Sequence, residues 1–351
     1  MIKVLIVDDS AVVQELFTEM FGREGDFEVV GCAGNRDEAL QKVRELRPDV
    51  VTMDVNLPGC DGFSVTRMIM EECPVPIVIV SAFYSSQDAE LGFRLLDTGA
   101  LAFHDKPAYG SPDFHDSMKE IIMSVRLMSE VRVVRRKSRF RHSSRESGKV
   151  APARTAFSGN TRKVVCIGAS TGGPQAVKQV LMDIPVGFSA PVIIVQHMSC
   201  GFTQGMVNWL RENTGHDIMI AKAGDVFKPG VVYFAPEGYH LEISATRTAV
   251  LSEDPPMNGI RPSVSSLFAS AARNLGRACV GVLLTGMGRD GAAELLEIRK
   301  MGGHTIAQDE ETSIVFGMPG EAVKIGGAVS VLPLDRIGPE ITKIVYSGAG
   351  E

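Results

Sequence analysis

Apolar and polar positions fall into two blocks with the same rhythm. Short β-branched runs alternate with amphipathic stretches of helical period. In the first block Lys3–Val7, Glu28–Ala33, Val50–Asp54, Pro76–Ser81 and Leu101–His104 predict strands. Val12–Gly22, Asp37–Arg47, Asp61–Cys73 and Asp88–Thr98 predict helices, and a last helix opens near Ser111 or Asp113. The second block starts with the apolar run at Val164, a Gly-rich turn and the amphipathic run Gln175–Met182. Ala190–Gln196, Ala278–Leu284 and His304–Ala307 predict further buried strands, and Val329–Leu332 with Leu334–Val345 a final strand–helix pair. Helices are expected from Thr203, as a cap, through Leu210, over Ser263–Leu275 and over Ala292–Met301, while Val231–Ala235 and a hairpin over His240–Leu251 read as a small β insert. Strand–helix alternation of this kind implies parallel sheets with helices on both faces. The expected fold class is α/β, two doubly wound parallel-sheet domains, whose ligands bind beyond the carboxyl ends of the strands.

Composition changes the picture between the blocks. The chain has 351 residues and a net charge of −6, unevenly spread. Residues 1–125 hold 10 Lys and Arg against 22 Asp and Glu, residues 126–150 hold 9 against 2, and residues 151–351 hold 17 against 18. From Arg126 to Arg162 no apolar face is sustained and Ser, Gly, Arg and Lys dominate, so the expected plan is a domain over 1–125, a basic flexible linker over 126–162 and a domain over 163–351. The linker has one aromatic at its basic centre, Phe140, and no reading module beside it, which argues against nucleic acid as a partner. No apolar run nears the roughly 20 residues that span a bilayer, so no membrane insertion is expected. The chain opens directly on a strand-like run and its six cysteines are scattered without a Cys-x-x-Cys spacing, which together predict a reducing, cytoplasmic setting.

In the first block the chemistry-bearing residues sit at strand ends. Asp8 and Asp9 follow the first strand, Asp54 ends the third, Ser81 the fourth, and Lys106-Pro107 follows the fifth. Converging carboxylates repel one another and call for a cation, and hard oxygen ligands suit Mg²⁺. The Ser81 hydroxyl and the Lys106 ammonium are placed to hold a phosphoryl group carried by Asp54, since a carboxylate can accept one as a covalent aspartyl phosphate. With Val7-Asp8-Asp9-Ser10, Met53-Asp54, Leu57-Pro58-Gly59 and Lys106-Pro107, the block resembles a two-component receiver domain, a flavodoxin-like fold. The resemblance implies that Asp54 takes phosphate from a histidine kinase and that Asp8 and Asp9 with the Asn56 carbonyl hold Mg²⁺. It also makes Phe103 the aromatic switch residue, although its neighbours Ala102 and His104 depart from the commoner pattern.

The second block is organised around Gly168-Ala169-Ser170-Thr171-Gly172-Gly173-Pro174, which puts Ser170 on a sharp strand-to-helix turn among small residues. Such a serine stands exposed beside the free N–H groups of a helix start. His197 and Asp290 each lie just past another expected strand, so a nucleophile, a base and an orienting carboxylate can meet at one sheet edge. The order Ser, His, Asp differs from that of α/β-hydrolases. Gly286-Met287-Gly288 offers backbone N–H groups, with those near Thr171, to an oxyanion. None of the seven histidines forms a zinc-hydrolase spacing, and His240 is a reserve candidate for a substrate contact. These pieces resemble the catalytic domain of the chemotaxis protein-glutamate methylesterases, together with Val195-Gln196-His197-Met198, Ala235-Pro236, Asn258-Gly259, Arg261-Pro262-Ser263-Val264, Leu284-Thr285-Gly286-Met287-Gly288-Arg289-Asp290-Gly291, Ile306-Ala307-Gln308-Asp309 and Gly317-Met318-Pro319. Ser199-Cys200 stands where the family has prolines, and Ser265 where an acid is common. The resemblance implies a Rossmann-like domain that hydrolyses glutamate methyl esters and deamidates glutamines on chemoreceptors, without a cofactor for that reaction. It implies Ser170, His197 and Asp290 as the triad, with Met287 and Thr171 as oxyanion donors. The receiver is expected to cover the esterase edge until Asp54 is phosphorylated. The reading from a different class is a phosphorylation-dependent binding module with an inactive hydrolase-like domain.

Overall fold

The computed structural model describes residues 1–82, 86–108, 110–111, 114–131, 133, 163–198, 200–257 and 259–347. Most of the basic linker, with Asp113, Ser199 and Asn258, therefore lies outside the described residues. The chain divides into two compact units, each with its own parallel sheet.

Over residues 1–131 the order is β1 Ile2–Val7, α1 Ala11–Arg23, β2 Phe27–Ala33, α2 Arg36–Leu46, β3 Val50–Met53, β4 Asn56–Leu57, β5 Cys60–Asp61, α3 Gly62–Glu72, β6 Ile77–Ser81, α4 Ser86–Thr98, β7 Ala102–Asp105 and α5 Phe114–Ser129. The five-stranded sheet runs β2-β1-β3-β6-β7, all parallel. Strands β3 and β6 are buried along their whole length, as near-continuous apolar runs in a doubly covered sheet should be. Local signals start the helices. The Ser10 hydroxyl accepts from the Val13 N–H, and Asn35 Oδ1 accepts from the Glu38 N–H at 3.0 Å while Glu38 returns its carboxylate to the Gly34 N–H, a reciprocal cap. Chain order reverses between β1 and β3, and that crevice is where such sheets bind ligands.

The second unit holds β8 Val164–Ala169, α6 Gly173–Asp183, β9 Val192–Gln196, α7 Thr203–Thr214, β10 Asp217–Ile220, β11 Val231–Phe234, β12 His240–Ile243, β13 Ala249–Ser252, α8 Val264–Leu275, β14 Cys279–Leu283, α9 Ala292–Lys300, β15 His304–Gln308, α10 Met318–Lys324, β16 Ser330–Leu332 and α11 Leu334–Ser347. Its seven strands run β10-β11-β9-β8-β14-β15-β16, again all parallel. The chain leaves β8 towards one edge and returns on its other side at β14, so the switch point lies between β8 and β14.

Three expectations need correction. Val231–Phe234 is not part of a β insert but pairs with β9 in the main sheet, and only the antiparallel hairpin β12–β13 stands outside it. Strand β10 and helix α10 were not expected; four residues of alternating burial and a seven-residue helix opening on Gly317-Met318-Pro319-Gly320 leave little periodicity to read. Thr203 does not cap α7. The Glu237 carboxylate does so from a distant loop, accepting from the Gly201 and Thr203 N–H groups at 2.8 and 2.9 Å.

Helix α8 occupies the centre of this unit. Its Val264, Leu267, Phe268 and Ala271 are fully buried within one cluster that includes Val195, Leu241, Leu283 and Leu295. Truncating Phe268, which is 0% exposed, to Ala is expected to cost about 3–5 kcal/mol. The check is the denaturant midpoint of the unit, and a change below about 1 kcal/mol would contradict this packing.

Candidate active site

In the first unit Asp8 continues β1 and Asp54 continues β3, the two strands flanking the switch point. The Asp54 N–H donates to the Val7 carbonyl at 2.8 Å, which fixes the carboxylate beyond the sheet edge. Asp8, Asp9 and Asp54 each offer an oxygen within 4.8 Å of the others, Asp9 from an exposed position. Lys106 bridges Asp8 Oδ2 at 2.6 Å and Asp54 Oδ2 at 2.5 Å, while Asp54 Oδ1 accepts from the Ser81 hydroxyl at 2.6 Å and from the Asn56 N–H at 3.1 Å. Burial holds the Asp8 carboxyl above its ordinary range, opposed only in part by Lys106. Burial also disfavours the Lys106 ammonium, but its hydrogen bonds to Asp54 and Asp8 outweigh that and hold its pKa above the usual value. The all-oxygen donor set fits a hard divalent cation. Phe103 is half-buried in β7, in register with Ile79. Its neighbour His104 has an Nε2 with no partner among the described residues, and burial lowers its pKa to about 4.

In the second unit Ser170, His197 and Asp290 follow β8, β9 and β14, three adjacent central strands. Ladder pairs Ala169↔Gln196 and Leu283↔Gly168 set their heights. The His197 N–H donates to the Ala169 carbonyl at 3.0 Å, and the Ser170 N–H to the Thr285 carbonyl at 3.0 Å. Backbones of the serine and the histidine are thus neighbours, about 4.8 Å apart by strand spacing. The side chains of His197 and Asp290 meet directly, Nε2 to Oδ2 at 2.9 Å. The Ser170 hydroxyl has no hydrogen bond among the described residues, so its bond to the imidazole is not formed here. The N–H groups of Thr171 and Met287 likewise have no partner among the described residues, and Met287 is 38% exposed.

Asp290 is 2% exposed and fully engaged. Oδ1 accepts from the Ser263 hydroxyl at 2.7 Å and the Ser265 N–H at 3.2 Å, and Oδ2 accepts from the Val264 N–H at 2.6 Å as well as from His197. The carboxylate therefore sits on the N-terminus of α8, where unpaired N–H groups and the helix dipole favour negative charge. Although Asp290 immediately precedes α9, the cap position of that helix is taken by Gly291. Burial opposes the Asp290 charge, yet hydrogen bonds from His197, Ser263 and Ser265 prevail and bring its pKa down to about 2.

Several supporting residues had no role assigned in the sequence. Gln196, the last residue of β9, donates from Nε2 to the carbonyls of Ser170 and His197 at 2.8 and 2.9 Å. A Cβ at Gly173 would meet Gln196 Oε1 at 2.0 Å, and one at Gly286 would meet Ser170 Cβ at 2.7 Å, so these turns close only with glycine. Gln308 Oε1 accepts from the Thr285 N–H at 2.8 Å. Ser265, where an acid was expected, gives its hydroxyl to Glu294 at 2.6 Å and accepts from the Gly291 N–H. The readable signals were amides ending apolar strands and a serine in the first turn of a helix. His240 is not a substrate contact. It is 1% exposed with both ring nitrogens bonded.

Comparison with known proteins places these features. Residues 165–341 match the family described as CheB methylesterase, and residues 4–116 match the response regulator receiver domain. A protein-glutamate methylesterase/protein-glutamine glutaminase 1 of Syntrophus aciditrophicus (strain SB) is 46% identical over 99% of this chain and all of that protein. A protein-glutamate methylesterase/protein-glutamine glutaminase 2 of Methanospirillum hungatei JF-1 is 44% identical over 95% of each chain. The crystal structure of the Thermotoga maritima CheB methylesterase catalytic domain aligns with a TM-score of 0.51 at 36% identity, over 52% of this chain and 98% of that one.

The Asp290 geometry has a consequence for acid stability. Its carboxyl falls from 3.8 to about 2 on folding, a contribution of about 2 kcal/mol. A depressed carboxyl stabilises the fold above its unfolded pKa, and that stabilisation is lost as pH falls through the folded value. Asp290→Asn is expected to be less stable than the parent at pH 7, with the gap narrowing from pH 5 towards pH 3 in denaturant titrations. A gap that stays constant over that range would contradict the assignment.

Proposed function

Because the chain belongs to the CheB methylesterase family and carries a response regulator receiver domain, we infer the chemistry of its sites as follows. The protein is a phosphorylation-regulated protein-glutamate methylesterase and protein-glutamine glutaminase. Its domains are a receiver over 1–125, a basic linker over 126–162 and a catalytic domain over 163–351. Its substrates are chemoreceptor glutamate methyl esters and glutamines, and it acts in the cytoplasm. Among the described residues no helix is long and apolar enough to cross a membrane.

Ser170 is the nucleophile, His197 the base and Asp290 the orienting carboxylate. The observation that carries this reading is the Nε2–Oδ2 contact of 2.9 Å, beside a serine whose backbone is laced to that of His197 through Gln196. Asp290, ionised at neutral pH, accepts from Nε2–H and so favours the tautomer with a bare Nδ1. That nitrogen takes the Ser170 proton as Oγ attacks the side-chain carbonyl carbon. The N–H groups of Met287 and Thr171 receive the oxyanion, each worth roughly 3 kcal/mol in such a role. The proton now on Nδ1 passes to the leaving group, methanol from the ester or ammonia from the amide. Water then gives a proton to Nδ1 and attacks the acyl carbon, and Ser170 leaves with that proton, freeing the glutamate.

In the receiver, Asp8, Asp9, Asp54 and the Asn56 carbonyl would hold Mg²⁺, which neutralises the charge of the incoming phosphate. A histidine kinase supplies the phosphoryl group: the nitrogen–phosphorus bond breaks and an oxygen–phosphorus bond forms at Asp54. Ser81 and Lys106, already bonded to that carboxylate, then turn to the phosphoryl oxygens, and Phe103 follows as the switch. Regulation needs only that phosphorylated and unphosphorylated receivers differ in affinity for one state of the enzyme.

Ser170→Ala should fold normally and lose at least about 10³-fold in methanol release from methylated receptor membranes; retained turnover would remove Ser170 from its role. Asp54→Ala should lose the stimulation that acetyl phosphate with Mg²⁺ gives the parent protein. Stimulation that persists in this variant would contradict the phosphoacceptor assignment.

A further inference from the structure

The structure assigns His240 as a positioning residue of the esterase site, acting on Asp290 through Ser263; this rests on the triad reading above. His240 opens the hairpin strand β12, outside the main sheet, and is 1% exposed. Its Nδ1 accepts from the Ser263 N–H at 3.2 Å, and its Nε2 lies 3.2 Å from the Pro255 carbonyl. A backbone N–H can only donate, so Nδ1 is bare and the ring proton sits on Nε2, which donates to Pro255. The ring is thereby held as a neutral imidazole in one tautomer.

Ser263 is the cap of α8, and its three polar functions are directional. Its N–H goes to His240, its hydroxyl donates to Asp290 Oδ1 at 2.7 Å, and its oxygen accepts from the Ser265 N–H at 3.1 Å. The residue is 0% exposed, so no water is at hand to replace a lost partner. A continuous chain of hydrogen bonds runs from Pro255 through His240 and Ser263 to Asp290, and from there to His197. Without the Nδ1 acceptor the Ser263 N–H is buried and unpaired, which disfavours the cap geometry. The cap can relieve that only by rotating, which draws its hydroxyl off Asp290. Shifts of about 1 Å in a catalytic geometry can cost roughly a hundredfold in rate.

The two ring nitrogens separate this role from a purely structural one. In His240→Asn the amide oxygen stands near the place of Nδ1 and keeps the acceptor for Ser263. In His240→Gln the terminal amide nitrogen stands near the place of Nε2, keeping the donor to Pro255 and losing the acceptor. In the full-length protein assayed on methylated receptor membranes, His240→Asn is expected to hold kcat within about threefold of the parent. His240→Gln should lose about tenfold or more in kcat with KM unchanged. Ser263→Ala should lower kcat to a similar degree, and combining it with His240→Gln should add little, because both break one chain. Circular dichroism melts identify any variant that fails to fold; if one His240 variant does, the remaining variant and Ser263→Ala still decide. Equal or better turnover of the Gln variant than of the Asn variant would assign His240 to holding the Pro255 loop instead, and so overturn the proposal. Losses that multiply in the double variant would do the same. Turnover retained by Ser170→Ala bears on the triad alone, so the two readings can fail separately.

Discussion

The second unit depends on where one buried negative charge is stabilised. Asp290 lies beyond β14, with the first N–H groups of α8 and the Ser263 hydroxyl on one side and the His197 imidazole on the other. An isolated carboxylate at 2% exposure would be neutralised by its surroundings. Here the hydrogen bonds exceed the burial penalty, and the group stays ionised far below neutrality. That one charge joins the packing of α8 to the His197 imidazole. Helix α8 is the best-buried helix of the unit, and its N-terminus is fixed because its side chains fill the core. The core of the unit thus sets the position of the group that bonds the His197 imidazole.

The receiver-like unit solves the opposite problem. There several carboxylates converge and a single ammonium, Lys106, bridges two of them. The cluster is held at the switch point of its sheet as Asp290 is held near the switch point of the other. Both sites follow from the same rule: parallel strands bring residues distant in sequence to one edge, and the loops beyond that edge carry the chemistry. What differs is charge balance. In one site the carboxylate is already paired with an imidazole and helix N–H groups, whereas the other gathers more negative charge than Lys106 alone offsets.

Much of this was legible in the sequence because strand–helix alternation is long and strongly periodic. Buried strands such as Val50–Met53 and Cys279–Leu283 read directly as apolar runs, and the placement of Asp8, Asp54, Ser170, His197 and Asp290 at strand ends followed from their bounds. What was not legible depended on tertiary partners. Val231–Phe234 lies in the main sheet between β9 and the edge strand β10, and β10 is too short to announce itself. Glu237 caps α7 from another loop, which no local signal encodes. Asp290 accepts from the first N–H groups of α8, a helix that precedes it in the chain, and no local signal encodes that pairing. The buried amides Gln196 and Gln308 and the hydroxyl of Ser265 show up in sequence only as polar residues where apolar ones are usual, and their roles emerge from their partners.

The central claim is that Asp290 holds the proton of His197 on Nε2 and leaves Nδ1 bare for Ser170. Nitrogen-15 NMR of the full-length protein labelled at histidine, with His197 assigned by difference against His197→Gln, reads this directly. At pH 7.5 the account requires a protonated Nε2 and an unprotonated Nδ1 in a single tautomer. A proton on Nδ1, or an equal mixture of the two tautomers, would contradict it.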